Sequence, residues 1–332
     1  MNILNINNNF ILNLLLLYKN KIAFSKKNFK SLLIEEKENK SNSIVNFNIL
    51  DKYSCTCHKK NNETITPLHL ACFVNNKNIV KMLLKYGANI NIKNNKGETP
   101  LAYLCRFYNC YEMIKLLIDY KANIYILDNK KNTALHIFCR IYNRNNEQIL
   151  KYLIEKGLFK IINNINDNTF TPLMNLCYFT NKYFLVSPLL ENGADINMTN
   201  VNGETALHMA CKFARYDMAK VLIENGANIN KTDNEGNTPL LVSCYKEVDL
   251  INTHHLIHYL IEHNADINKA NNNGDTSFFM VCCWGSENII NYFIEHGADI
   301  NIKNKNEKSP LSFAYINNNN IAVNCLIEHG AK

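Results

Sequence analysis

Residues 201–233 read VNGETALHMACKFARYDMAKVLIENGANINKTD, and most of the remaining chain is a variation on that sentence. Gly203 and Glu204 lead into Thr205, a residue type that caps helix N-termini through its hydroxyl. The apolar residues behind it, Ala206, Leu207, Met209, Ala210 and Cys211, follow helical rather than strand spacing. A second helical pattern, Met218, Ala219, Val221, Leu222 and Ile223, runs up to Gly226, whose freedom to take a left-handed backbone suits a helix C-cap. Asn-rich turn chemistry follows, and the pattern restarts. Two short helices, each apolar on one side, cannot close a core by themselves, so the unit requires copies stacked upon it. Any function then belongs to an extended stacked surface.

A chain of 332 residues would ordinarily suggest more than one domain, but the short internal period points to one elongated array. Asparagine is the compositional oddity, with 59 copies. Together with abundant Lys and Ile and four Arg, it reads as biased coding, and no function follows from it. The first 62 residues hold ten Lys against four acidic side chains, so most of the net charge of +7 sits there and the repeats are nearly neutral. These Lys are scattered among Asn and Glu without the aromatic interleaving of a base-stacking surface, which argues against nucleic acid and for a solvated cap. The apolar stretch from Phe10 to Tyr18 is too short to span a bilayer, lacks a basic start, and is read as a buried helix rather than a leader. Residues 1–62 are therefore expected to be a degenerate helical capping region with an inserted loop.

Alignment on the helix-opening hydroxyl residue gives Thr66, Thr99, Thr133, Thr171, Thr205, Thr238, Thr276 and Ser309. The phrases TPLHLAC, TPLAYLC, TALHIFC, TPLMNLC, TALHMAC, TPLLVSC and SPLSFAY open the units, and YGANIN, NGADIN, NGANIN and HGADIN close them. These motifs resemble the ankyrin repeat family over residues 63–332. The resemblance implies an all-α solenoid of stacked antiparallel helix pairs with projecting hairpin loops, in eight repeats starting near 63, 96, 130, 168, 202, 235, 273 and 306. It also implies a concave, partner-binding face, and the chain is expected to be a non-catalytic, cytoplasmic, monomeric scaffold or adaptor that binds another protein there and takes no cofactor. The alternative is a membrane-associated protein tethered by residues 10–18.

Pro follows the opening Thr or Ser in five units, at the first helical position, where its missing N–H costs nothing. Lys121 and Asn264 stand where Gly would cap the second helix, and Lys there should cost about 1 kcal/mol. Pro188 falls inside the second helix of the fourth unit, where a backbone hydrogen bond should be lost. Insertions in the second to fourth units mark that part as the expected soft region.

Seven cysteines, Cys72, Cys105, Cys139, Cys177, Cys211, Cys244 and Cys282, fall six residues after the opening hydroxyl. One per repeat, about 10 Å apart by ordinary helix spacing, they cannot pair with one another and serve as small core residues. Cys55, Cys57 and His58 space their cysteines too closely for a structural zinc site. His69, His136 and His208, as in the family, are structural. His263, His296 and His329 precede the second-helix cap, where a cation suits the helix dipole. His254 and His258 share a helix face with a metal-like spacing, but the HHLIH pattern lacks a metalloprotease glutamate and reads as an exposed helix. The chain shows no phosphate-cradling Gly loop, no G-x-S-x-G and no carboxylate pair held in a cleft, so no enzyme or metal site is expected.

The family resemblance places the ends of the first helices on the partner-binding face. Seven and eight residues after each opening hydroxyl stand Phe73, Val74, Arg106, Phe107, Arg140, Ile141, Tyr178, Phe179, Lys212, Phe213, Tyr245, Lys246, Cys283, Trp284, Ile316 and Asn317. Aromatic and cationic residues of this kind concentrate binding energy in interfaces. Phe73, Arg106, Phe107, Arg140, Tyr178, Phe179, Lys212, Phe213, Tyr245, Lys246 and Trp284 are the expected contact residues. The competing reading has the aromatics eight after the opening hydroxyl covering the base of the adjacent hairpin.

Overall fold

The structure, a computed structural model, describes residues 66–85, 87–107, 110–140, 147–245 and 250–332. Among the described residues all regular elements are helical, and they come in pairs. These are α1 (Pro67–Phe73) with α2 (Lys77–Lys85), α3 (Pro100–Leu104) with α4 (Tyr111–Asp119), and α5 (Ala134–Cys139) with α6 (Glu147–Glu155). Next come α7 (Pro172–Phe179) with α8 (Val186–Glu191), α9 (Ala206–Lys212) with α10 (Tyr216–Glu224), and α11 (Pro239–Ser243) with α12 (Leu250–Glu262). The last are α13 (Ser277–Trp284) with α14 (Glu287–Glu295) and α15 (Pro310–Ile316) with α16 (Asn320–Glu328). The chain divides into two compact units, Met1–Ala134 and Leu135–Lys332. Within the second, α9 lies between α7 and α11 while α10 lies between α8 and α12, so first helices stack on first helices and second on second. This is an all-α repeat solenoid.

The opening hydroxyls act as N-caps. The side chains of Thr66, Thr99, Thr171, Thr205, Thr238 and Ser309 accept the backbone N–H three residues on, which satisfies one of the amides a helix start leaves orphaned. The apolar residues after them are buried, including Leu207, Met209, Ala210 and Cys211. All seven periodic cysteines are buried free thiols, and burial pushes those of Cys177 and Cys244 up to about 12. They are packing residues, not nucleophiles.

Lys121 and Asn264 adopt left-handed conformations at φ 67° and 68°, so each replaces Gly at its cap as expected. Pro188 departs from expectation. The second helical segment of its repeat is split into a 3₁₀ turn, Tyr183–Leu185, and a six-residue α8. Pro188 therefore sits in the first turn of α8, where its missing N–H has no intrahelical partner to lose.

His69 and His208 also matter structurally. The Nε2–H of His69 donates to the carbonyl of Glu98 at 3.0 Å, and that of His208 to the carbonyl of Asn237 at 3.1 Å. His136 Nε2–H reaches the carbonyl of Phe170 at 2.8 Å. Each of these three opening helices is thus tied to the hairpin of the next repeat. His263, His296 and His329 donate Nδ1–H to the carbonyl four residues back, each at 2.8 Å, capping the end of the second helix.

The hairpins are organised by asparagine and aspartate. Asn94, Asp128, Asn166, Asn200, Asp233, Asn271 and Asn304 each accept backbone N–H groups from two and four residues on. Asn163, Asn197, Asn230 and Asn268 reach into the next repeat. Their side-chain oxygens accept the N–H groups of Asp195, Asn228, Asp266 and Asp299 at 2.8–2.9 Å. Their amide nitrogens donate to the carbonyls of Gly193, Gly226, Asn264 and Gly297. Part of the asparagine excess that composition alone leaves unexplained is therefore a set of inter-repeat cross-links.

Among the described residues no helix is long and apolar enough to cross a membrane. The capping segment expected over residues 1–62, its apolar stretch 10–18, and Cys55, Cys57 and His58 lie outside the described residues.

Candidate functional site

In four repeats the residue just before the opening hydroxyl pairs with the one seven after it, so that the two ends of the first helix are joined. Glu98 and Arg106 form an ion pair at 2.7 Å, with the Glu98 side chain only 2% exposed. Glu204 and Lys212 pair at 3.3 Å. Phe170 meets Tyr178 ring to ring at 5.4 Å, and Tyr245 donates its hydroxyl to Asn237 at 2.9 Å. The position is constant while the chemistry changes from repeat to repeat. Burial would raise the Glu204 carboxyl, but hydrogen bonds from Asn200 and Lys212 and the Lys212 charge outweigh it, leaving the group below its ordinary value.

Around these pairs the aromatic residues cluster. In the first unit Phe73, Tyr103 and Phe107 form an edge-to-face triad with centroids 5.0–6.5 Å apart, and the Arg106 guanidinium lies 5.7 Å from the Tyr103 ring. In the second unit Tyr178 sets its edge or face against both Phe179, at 4.8 Å, and Phe213, at 5.0 Å. The guanidinium of Arg140 lies 4.6 Å over Phe179, and that of Arg215 5.0 Å over Phe213, distances at which cation–π attraction operates. Arg140, Lys212, Tyr245, Ile316 and Asn317 are exposed, while Phe73, Val74, Arg106, Phe107, Tyr178, Phe179, Phe213, Cys283 and Trp284 are half-buried. Tyr178 packs on hairpin residue Phe170, and the same ring keeps part of its surface open. Ile141 and Lys246 lie outside the described residues.

Trp284, an expected contact residue, is half-buried and also bonded within the array. Its indole N–H donates to the carbonyl of Cys244 at 2.8 Å, and its ring stacks on His254 with centroids 6.2 Å apart. The indole thereby satisfies an orphaned carbonyl at the end of the neighbouring first helix. Arg215 does the same for the carbonyls of Cys177 and Thr180, and Asn319 for those of Cys282 and Gly285.

The histidine group on α12 is also more engaged than an exposed helix implies. His255 is exposed, but His254 and His258 are half-buried, and His258 stacks face to face on Tyr292 at 3.7 Å. Burial, then the neighbouring His254, lowers the His258 pKa. Among the described residues no group of three His, Cys, Asp or Glu side chains is placed to hold a metal ion.

Sequence reasoning missed Tyr103, Phe170, Glu98, Glu204 and Arg215. The Glu98–Arg106 and Glu204–Lys212 pairs carried a legible signal, since both place opposite charges eight residues apart around the same motif.

A recess of about 610 Å³ opens along this row between the repeats of α9 and α11, with Glu204, Phe213, Asp233, Glu235, Tyr245 and Thr253 among its lining residues.

A family model described as "Ankyrin repeats (3 copies)" matches residues 7–128, 111–200, 173–269 and 248–332. Ankyrin repeats in general bind other proteins. No curated protein matches the chain.

Proposed function

Because the chain belongs to the ankyrin repeat family, we propose that it is a non-catalytic scaffold or adaptor that binds a protein partner on the face carrying the first-helix ends, the concave face that the family resemblance implies. The supporting observation is the row itself. Its rings and guanidinium groups are held in place by intramolecular pairs, yet Arg140 and Tyr245 are exposed and Phe107, Phe179 and Phe213 are half open. Aromatic and Arg groups fixed in advance lose little freedom on binding, which is how a small number of side chains comes to dominate an interface. Phe73, Arg106, Phe107, Arg140, Tyr178, Phe179, Lys212, Phe213 and Tyr245 are assigned to this surface, and Trp284 supports its end. The protein acts as a cytoplasmic monomer in this reading.

The test is affinity capture with the full chain and with an Arg140→Ala, Phe179→Ala double variant. A partner retained by the wild type should be lost or weakened at least about tenfold by the variant, while thermal unfolding shows both to be folded. Equal capture by both chains would reject the row as the binding surface.

A further inference from the structure

The recess between the repeats of α9 and α11 is built from three kinds of surface. Phe213 and Val242 give it apolar wall, Asp233 and Glu235 give it carboxylates, and Thr253 also lines it. Its volume of about 610 Å³ falls in the range of pockets that enclose a ligand group.

Among the described residues the charges there are unbalanced. Lys212 is already committed to Glu204 at 3.3 Å. Asp233 accepts the backbone N–H groups of Glu235 and Asn237 and the Asn237 amide. Among the described residues the Glu235 carboxylate accepts a 3.3 Å bond from that same amide alone. Among the described residues neither carboxylate has a cationic partner. Tyr245 reports the same field: burial, followed by the charges of Glu235, Asp233 and Asp275, raises its phenol pKa. Thr253 is an independent sign. Its side chain is buried, the residue being 1% exposed, and among the described residues its Oγ1 has no hydrogen-bond partner, a state that ordinarily costs stability.

We infer that this recess takes the side chain of an arginine, presented by an extended segment of the protein partner. A guanidinium is donor-only, so it complements two carboxylates and an unpartnered hydroxyl without placing acceptor against acceptor. Its planar face and aliphatic stem suit a wall containing Phe213 and Tyr245, where a compact ammonium would leave ring surface unused. The inference rests on the proposed protein-binding role of this face and adds the chemistry of one contact.

The probe is N-acetyl-arginine N-methylamide, titrated into the full chain by saturation-transfer NMR beside its neutral isostere, the citrulline derivative. The arginine derivative should bind in the millimolar range, and the citrulline derivative at least about fivefold more weakly. Glu235→Gln should remove that preference. Thr253→Val keeps the side-chain shape and removes the hydroxyl, so it should weaken arginine binding about threefold without lowering the melting temperature. Equal binding of the two derivatives, no binding of either, or an arginine response indifferent to Glu235→Gln would overturn the inference. A chain that captures its partner through Arg140 and Phe179 yet ignores the arginine probe loses this inference alone. One that takes the probe but captures its partner regardless of the row variants loses the broader reading instead.

Discussion

Along the hairpins, Asn163, Asn197, Asn230 and Asn268 carry the same two kinds of bond into the following repeat. Along the first-helix ends, the carbonyl of Cys177 is met by Arg215, that of Cys244 by Trp284 and that of Cys282 by Asn319. Both edges satisfy orphaned backbone groups, so both stabilise the stack. They differ in what they leave open. An asparagine amide spends both of its ends on backbone, whereas an arginine or an indole caps a carbonyl with one atom and offers the rest of its surface to the neighbourhood. Variation is tolerated at the second edge because several side chains can reach the same carbonyl, and a surface that varies from repeat to repeat is what recognition of one particular partner requires.

The largest effect should come from the invariant edge. Gly236 has φ 82°, and a Cβ there would lie 2.8 Å from the backbone nitrogen of Asn272. Gly226 has φ 88° with nothing within 4 Å. Gly236→Ala should therefore cost about 3 kcal/mol or more in urea denaturation, and Gly226→Ala only about 1 kcal/mol, the left-handed penalty alone. Similar losses for the two would mean that hairpin contact between repeats contributes little.

The variable edge should respond less. Arg215→Met retains apolar bulk but strands the carbonyls of Cys177 and Thr180, at about 2 kcal/mol. Trp284→Phe strands only that of Cys244, at about 1 kcal/mol. If Trp284→Phe matches wild type in denaturation while partner capture falls, the indole is a contact residue and its intramolecular bond is incidental.

Between the two edges lies His208, with Nδ1 accepting the N–H of Thr205 at 3.1 Å and Nε2–H directed at Asn237. Burial lowers its pKa below the ordinary 6.5, so the neutral ring is the form the fold selects. Its contribution is fully present above about pH 6.5 and is lost as pH falls from there toward the depressed folded value. His258, shifted in the same direction, adds to that slope. Unfolding midpoints measured across this interval should fall with acid, and His208→Gln should flatten the decline; an unchanged slope would assign it to other groups.

The smallest effect belongs to the core. Cys211→Ala should cost under about 1.5 kcal/mol, being nearly volume-conserving, and reductant should leave the wild-type melting temperature unchanged. A loss near 3 kcal/mol would show that the thiol fills space an alanine cannot.

What the sequence made legible follows from locality. Thr205 and its N-cap bond are three residues apart, Lys121 marks its own left-handed cap, and Cys211 declares its burial by period. The asparagine cross-links span 29–36 residues, beyond any local pattern, and were hidden inside an excess that looked compositional. Trp284 and Cys244 are 40 residues apart, so the position of the indole was readable and its hydrogen bond was not. Pro188 was misplaced for a local reason: the helix it was expected to interrupt begins only two residues before it.

One chemical consequence attaches to Asn230. Its side chain distinguishes its two ends, the oxygen receiving the N–H of Asp266 and the nitrogen donating to the carbonyl of Asn264. Hydrolysis of that amide to a carboxylate would keep the first bond and turn the second into oxygen facing oxygen. Slow deamidation, which changes the mass by a single unit and leaves every apolar contact in place, would thus open one chosen seam of the array, so the age of a molecule would be written in which of its joints still close.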